Sequence, residues 1–398
     1  MSMASMNVIP AAVILLALQA GSAHALDEQE QRARIEFETK KGEYQIEHSE
    51  LLFKDSELNA YLQEVTDRLF PDMKDKLHVR AIRDPNFNAF AVATGGVYFN
   101  TGTLLRLDDE SQLASVLGHE GTHYTGDHIY RSVHAAKSAS VITLIGGFAA
   151  AGFGIPPELV GLVGYSSMMG FSRGYEREAD RGGFDRMSQA GYDLRGGALA
   201  FERLDRELTV RYIDRGPYFF ASHPNVKERV TNLTEFGGES PSEGEKDTDR
   251  YLAVTLRARL DALAQIHRGG DGRTLVFLLE DEKLLKSLPP ESRYYLAEGF
   301  RLRAEKAKRP GKDKRSAQEI EVQRASDAAR AVQEYELTLE QAPEFAPTYE
   351  ALAMSHYRSG DKSRALELFQ RYVELNPDQK QTGYARQYIE LLSKELTP

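Results

Sequence analysis

Apolar and polar positions alternate, recur at helical spacing or run together in different parts of the chain. Gly95–Thr101 has apolar, β-branched or aromatic residues at alternating positions, as a β-strand does. Leu113, Val116 and Leu117 recur at the spacing of an amphipathic helix, and helical periodicity dominates beyond Phe236. The pattern predicts a mainly α protein whose first domain is α+β with a small sheet.

The helical stretch around Leu113 has a defined start and contains two histidines. Asp109 precedes it with Gln112 three residues later, which is typical of a helix N-terminus. His119 and His123 follow four residues apart, so they project from one helix face. Two imidazoles at this spacing are typical zinc ligands, and Glu120 between them can act on a water at the same metal. A helix with two ordinary histidines is the alternative.

Two candidates for a third ligand lie downstream. His128 follows His119 by nine residues and nearly fits the metzincin pattern, with Gly126 at the turn position. That pattern requires its third histidine where Ile129 stands. On a continuous helix nine residues make about half a revolution, so His128 is interpreted as structural or as a partner of a ligand.

The other candidate is the acidic stretch 172–180. Glu176 and Asp180 are four residues apart and share a helix face, whereas Glu178 lies on the other side. Glu176 could bind the metal while Asp180 orients a ligand imidazole through its second nitrogen. The alternative is a solvated helix face on which the carboxylates pair with neighbouring arginines.

Four ordered blocks resemble the family of zinc metallopeptidases that includes the CAAX prenyl proteases, HtpX and BepA. They are 88–102, with Asn88-Ala89-Phe90-Ala91 and Gly95 to Gly102; His119 to His123; Glu176 to Asp180; and His223 to Arg229. The resemblance implies a zincin-like metallopeptidase domain of the BepA-like periplasmic type.

The resemblance also implies roles for individual residues. His119, His123 and Glu176 are expected to bind one Zn²⁺ per chain, with a water on the fourth position and Glu120 as its general base. Asp180 is expected to orient a ligand.

Two further roles concern the fourth block. Arg229 is expected to anchor its own segment through a carboxylate. His223 is implied to stabilise the oxyanion, presented by the turn at Pro224. Alternatively, a mobile loop places His223 on the open zinc position and keeps the enzyme latent.

The strand before the metal helix is a candidate substrate site. Gly96, Val97, Tyr98 and Phe99 are predicted to pair with an extended peptide by strand addition. Such binding recognises the backbone of the peptide more than its side chains, which predicts broad specificity for unfolded polypeptides.

The beginning of the chain predicts export. Residues 1–25 contain no Lys, Arg, Asp or Glu, and Ala23-His24-Ala25 fits the small-x-small rule for cleavage. We therefore expect a cleavable signal peptide at 1–25 and a periplasmic protein. The chain has no cysteine for lipid attachment, and its formal charge of −10 argues against nucleic acid as a partner.

A long apolar stretch at 141–171 contains Glu158 as its single charge and is split by Pro156-Pro157. Each half is shorter than the roughly twenty residues that span a bilayer. The stretch is interpreted as a helical hairpin that packs over the catalytic core or contacts a membrane surface, with true membrane spans as the alternative.

The second half of the chain has a repeat period. Residues 237–250 are predicted to be a polar linker between a metallopeptidase domain at 26–236 and a helical repeat domain at 251–398. Pro343 and Pro377 are 34 residues apart, the tetratricopeptide period. The packing positions of one such repeat are occupied by Tyr349, Leu352, Ala353, Ala365, Phe369 and Tyr372. This α-α superhelix predicts a polypeptide partner, with outer-membrane assembly machinery as the candidate.

Together these patterns predict an exported zinc metalloendopeptidase, and the resemblance implies a task in envelope protein quality control or outer-membrane protein assembly. The rival function is a chaperone or assembly scaffold whose zinc site stays mostly latent. A metzincin-like protease that uses His128 is a more distant alternative.

Overall fold

The structure is a computed structural model that describes residues 28–135, 171–211, 226–237, 244–306 and 315–397. The first half consists of the helices α1 (Glu28–Glu47), α2 (Ser56–Leu69), α3 (Thr101–Arg106), α4 (Glu110–Thr125), α5 (His128–Ala135), α6 (Arg173–Gln189), α7 (Gly196–Arg211) and α8 (Val226–Gly237), and of the strands β1 (His78–Ile82), β2 (Ala89–Ala91) and β3 (Gly96–Asn100).

The three strands form one sheet in the order β1-β3-β2. β3 runs parallel to β1 and antiparallel to β2, and all five of its residues are buried. In the sheet, β2 is therefore paired on one side only, and its other edge faces α4.

Helix α4 begins where the sequence predicts it. The Asp109 carboxylate accepts a hydrogen bond from the Gln112 backbone N–H at 3.0 Å and so caps the helix. Leu113, Val116 and Leu117 pack into the core of the first half. Because α4 is buried from Glu110 to His123, its polar side chains are buried with it.

The second half is entirely helical among the residues described there. It contains α9 (Thr248–Arg268), α10 (Gly272–Leu279), α11 (Glu282–Lys286), a 3-10 turn (Pro290–Ser292), α12 (Arg293–Glu305), α13 (Ala317–Gln341), α14 (Ala346–Ser359), α15 (Lys362–Leu375) and α16 (Gln379–Leu396). The mainly helical fold with a small sheet that the sequence predicts is confirmed.

Helices α14 and α15 contain the residues of the predicted repeat and pack against each other. Leu352, Ala353, Ala365, Phe369 and Tyr372 are all buried between these helices and their neighbours. The periodic positions therefore face a shared core, as packed helical repeats require.

Residues 244–250, which belong to the predicted polar linker, form hydrogen bonds with the first half. The Glu110 backbone N–H at the start of α4 donates to the Lys246 carbonyl at 2.8 Å, and the Asp193 N–H donates to the Glu245 carbonyl at 3.0 Å. Tyr251 in α9 is fully buried in the core of the first half and donates its hydroxyl to the Leu104 carbonyl at 2.6 Å. This segment and α9 are thus packed onto the helix that carries the two histidines.

No helix within the described ranges is long and apolar enough to cross a membrane. The predicted signal peptide at 1–25 lies outside the described residues, as does 141–171 except for Phe171.

Candidate metal centre

Three side chains from two helices converge in the interior of the first half. His119 and His123 in α4 lie with their Nε2 atoms 3.0 Å apart. Glu176 in α6 brings Oε2 to 3.7 Å from His119 Nε2 and Oε1 to 3.4 Å from His123 Nε2. All three residues are buried. Two imidazole nitrogens and one carboxylate oxygen in this arrangement are a ligand set suited to a catalytic zinc ion.

Glycines at the crossing of α4 and α6 allow this convergence. A Cβ atom at Gly183 would lie 2.8 Å from the backbone nitrogen of His119, and one at Gly118 would lie 3.1 Å from the Gly183 Cα. The two backbones are therefore too close for any larger residue at Gly183. Sequence reasoning missed these glycines, although a glycine directly before His119 and a Gly-Gly pair at 182–183 were visible signals.

Asp180 and Arg229 lie behind His119. His119 Nδ1 is 2.9 Å from Asp180 Oδ1, so the nitrogen that faces away from the ligand cluster is held by a carboxylate. Arg229 in α8 donates from Nη2 and Nε to Asp180 at 2.7 and 3.0 Å, and its guanidinium stacks on the Phe201 ring. Asp180 thus lies within hydrogen-bonding distance of His119, and its orienting role stays a prediction.

The electrostatics of this cluster favour a neutral imidazole and a charged carboxylate. Burial and the nearby Arg229 cation together lower the pKa of His119 to about 4, although the Asp180 and Glu176 carboxylates oppose this shift. Burial alone would raise the pKa of Asp180, but Arg229 and His119 hold it below its ordinary value. Metal binding requires an unprotonated imidazole, so these shifts suit a ligand site.

Glu120 lies beside the cluster and next to the sheet. It is 1% exposed, and its Oε2 accepts a hydrogen bond from the Ala91 backbone N–H at 3.2 Å. This bond comes from the side of β2 that is not paired within the sheet. The carboxylate is therefore bonded to the edge of β2 that does not pair with β3.

The substrate strand is the point at which the sequence interpretation is wrong. Gly96, Val97, Tyr98 and Phe99 lie in β3, which pairs with β1 on one side and with β2 on the other. A peptide cannot add to a strand whose two edges are already used. The backbone groups of Asn88 and Val92 form hydrogen bonds with β3. Because successive residues of a strand direct their backbone groups to opposite sides, those of Ala89 and Ala91 face the other edge of β2.

His128 lies against His123, a position that it could not reach if α4 continued as a helix. Helix α4 ends at Thr125 with Gly126 as its C-cap, and Asp127 has a left-handed backbone with φ 58°. The chain turns there, so His128 starts a new helix and its Nδ1 lies 2.9 Å from His123 Nδ1. Burial lowers the pKa of His128 as well, although Glu178 opposes this shift. His128 thus contacts a candidate ligand and lies outside the cluster of three.

Phe171 is a second residue that the sequence did not single out. Its ring stacks on the His123 imidazole, with 3.9 Å between the centroids and 21° between the planes. His223 lies outside the described residues, and its proposed roles stay predictions.

Comparison with known proteins agrees with this site. The family model of peptidase family M48 matches residues 53–236. The beta-barrel assembly-enhancing protease of Escherichia coli (strain K12) is 26% identical over 231 residues, which cover 54% of this chain and 47% of the relative. The corresponding protease of Yersinia pestis is 24% identical over 224 residues, covering 54% of this chain and 46% of the relative.

A mitochondrial metalloendopeptidase is also similar to part of the chain. The mitochondrial metalloendopeptidase OMA1 of Schizosaccharomyces pombe is 32% identical over 166 residues, covering 42% of this chain and 47% of the relative. The matches to these three curated relatives therefore span about half of their length. Residues 119–123 and 176–180, which hold the ligand cluster, fall within the region that the family model covers. Residues 53–236 of the chain are thus similar in sequence to peptidase family M48.

Proposed function

We propose that the chain is a zinc-dependent endopeptidase that cleaves unfolded polypeptides. The observation that carries this proposal is the convergence of His119, His123 and Glu176, with Glu120 at their side and an open strand edge beyond it. A purely structural zinc site has four protein ligands, whereas catalytic sites have three protein ligands and leave a position for water. The described part of the chain supplies three.

Each side chain has a task in peptide hydrolysis. A bound zinc ion polarises the scissile carbonyl and lowers the pKa of water. The Glu120 carboxylate takes the proton of the attacking water and passes it to the nitrogen of the leaving amine. Asp180 holds the Nδ1–H of His119, so that the Nε2 lone pair points into the cluster.

The substrate is proposed to pair with the open edge of β2. Ala89 and Ala91 present backbone groups there, and Glu120 already accepts the Ala91 N–H at 3.2 Å. An extended peptide paired with this edge would place its carbonyl groups beside the ligand cluster. Because the contacts are to backbone, N-methylation of alternate amides in a peptide substrate should raise KM, whereas N-methylation of the intervening amides should leave it nearly unchanged.

The primary test is metal content and proteolysis of the full chain. Purified wild type should bind about one zinc per chain and cleave casein and a short unstructured peptide. A zinc-loaded wild type without any turnover would contradict the peptidase proposal and favour the scaffold function.

His223 is proposed to act near the open ligand position, and one substitution separates its two candidate roles. If His223 stabilises the oxyanion, His223→Ala should reduce cleavage of a short peptide by about 10²–10³-fold. If it occupies the zinc position in a latent state, the same change should increase cleavage.

The biological setting is proposed from the relatives and from the sequence. Two relatives carry the name beta-barrel assembly-enhancing protease, and the first 25 residues have the composition of a signal peptide. We therefore infer a periplasmic enzyme that removes unfolded β-barrel precursors, with the tetratricopeptide-like helices binding client or assembly machinery. Purified enzyme should degrade an unfolded outer-membrane β-barrel protein and leave the folded barrel intact.

A further inference from the structure

The turn between α4 and α5 places two histidine rings against each other. Asp127, with its left-handed backbone, reverses the chain, and the Arg32 guanidinium of α1 pairs with its carboxylate. His128 is fully buried, and its Nδ1 lies 2.9 Å from the Nδ1 of His123. Two imidazole nitrogens at this distance share one proton, since one must donate and the other must accept.

The position of the ligand cluster decides which nitrogen donates. His123 Nε2 faces His119 Nε2 at 3.0 Å and Glu176 Oε1 at 3.4 Å, so its lone pair is needed for the metal. A neutral imidazole that uses Nε2 as a ligand carries its proton on Nδ1. His123 therefore donates to His128 Nδ1.

The same reasoning fixes the proton of His128. Because its Nδ1 accepts, its own proton must be on Nε2. That nitrogen lies 3.4 Å from Glu178 Oε2, which is an ion-pair distance slightly longer than an ordinary N–H···O hydrogen bond. The Glu178 side chain is half exposed, and Arg131 holds the carboxylate at 3.1 Å.

We propose that His128 and Glu178 form a relay that fixes the tautomer and orientation of His123 as a metal ligand. The relay rests on the proposed zinc function. It is the counterpart of the direct contact between Asp180 and His119 on the other ligand. In this arrangement both histidine ligands are backed by a carboxylate, one directly and one through an intervening imidazole.

The surroundings of His128 hold its ring in this orientation. The Tyr175 ring stacks on it with 4.7 Å between the centroids and 15° between the planes. The Arg131 guanidinium carbon lies 4.5 Å from the centre of the Tyr175 ring, and the same guanidinium donates a hydrogen bond to Glu178. His128 and Glu178 are thus positioning residues that act through His123.

The test is zinc affinity of the full chain, measured by competition with a chromophoric chelator. His128→Leu removes the acceptor and should weaken zinc binding by about 10–100-fold. His128→Asn places an amide oxygen near the position of Nδ1 and should retain affinity within about threefold, because it can still accept the proton of His123. His134→Leu, at an exposed histidine of the same helix, is the control and should bind zinc like wild type.

A second measurement does not depend on the stability of any variant. Long-range ¹H–¹⁵N spectra of zinc-loaded wild type labelled at histidine should show His128 as the neutral tautomer with its proton on Nε2. A proton on Nδ1 would overturn the relay. Glu178→Gln should weaken zinc binding by only a few fold, because the amide oxygen can still accept from His128.

The results separate the relay from the proposed function. A wild type that binds no zinc contradicts the zinc peptidase itself. A wild type that binds zinc, together with a folded His128→Leu variant of equal affinity, contradicts only the relay. If His128→Leu does not fold, the relay is tested by the tautomer spectrum of wild type and by the zinc affinity of His128→Asn.

Discussion

The guanidinium of Arg229 and the carboxylate of Asp180 form a buried ion pair directly behind His119. Both side chains are nearly inaccessible to solvent, at 2% and 1% exposure, and their closest atoms are 2.7 Å apart. Arg229 belongs to α8 and Asp180 to α6, so the pair ties the last helix of the family M48 region to the two helices that carry the ligands. A contact remote in sequence therefore supports the candidate metal centre.

Removal of Arg229 should leave a buried carboxylate without its cation. We expect Arg229→Met to destabilise the metal-free protein by about 3–5 kcal/mol, measured as the free energy of unfolding in urea. Arg177→Met is the matched control, since its side chain is 65% exposed and its partner Glu228 is 3.8 Å away. A change below about 1 kcal/mol is expected there. Equal stability of the two variants would contradict the anchoring role.

Glu120→Gln should separate metal binding from catalysis. The substitution removes the base and keeps the shape of the side chain, so zinc content should stay near one per chain. Peptide cleavage should fall by at least about 10²–10⁴-fold, the range ascribed to general acid–base catalysis. The measurement is zinc content together with kcat/KM on a short fluorogenic peptide. Unchanged turnover would show that another group takes the proton.

Glu176→Ala should remove a ligand and thereby lower metal affinity strongly. Asp185→Ala on the same helix is the control, because the Asp185 side chain is 47% exposed and pairs with Arg181 at the surface. The control should bind zinc with wild-type affinity in a chelator competition. If His128→Ala empties the site while Glu176→Ala leaves it filled, the metzincin-like alternative is correct.

Tyr251 tests the connection between the two halves. It is fully buried in the core of the first half, although it belongs to a helix of the second. Tyr251→Ala should destabilise the protein by about 3–5 kcal/mol through the cavity and the lost bond to Leu104. Tyr44→Ala, at a residue that is 64% exposed, should change stability by less than about 0.5 kcal/mol.

A variant truncated before Tyr251 adds a second observation to this test. It should lose stability in the same direction, because the catalytic core loses Tyr251 and Ala258 together. An independently stable fragment ending at about residue 243 would instead support a domain boundary at the predicted linker, and the boundary at 251 stays a prediction until this is measured.

The sequence by itself determined the local elements of the candidate site. The four-residue spacing of His119 and His123 places both on one face of a helix, because the helical period is a property of the backbone and needs no tertiary contact. The Asp109 cap and the apolar positions of α4 are local in the same sense. Glu176 and Asp180 share a face for the same reason, and both lie at the cluster.

Tertiary structure alone decided how these elements meet. The alternating pattern of β3 identified a strand but not its neighbours, and the pairing of both its edges moved the open edge to β2. Helix α4 ended at Thr125 and the left-handed Asp127 turned the chain before His128, so an angle calculated for a continuous helix did not apply. The close crossing at Gly118 and Gly183, and the packing of α9 onto the first half, likewise depend on contacts between residues distant in sequence. Helical periodicity fixes which residues share a helix face. The element that packs against this face is decided by the burial of the apolar surfaces of all elements in one common core.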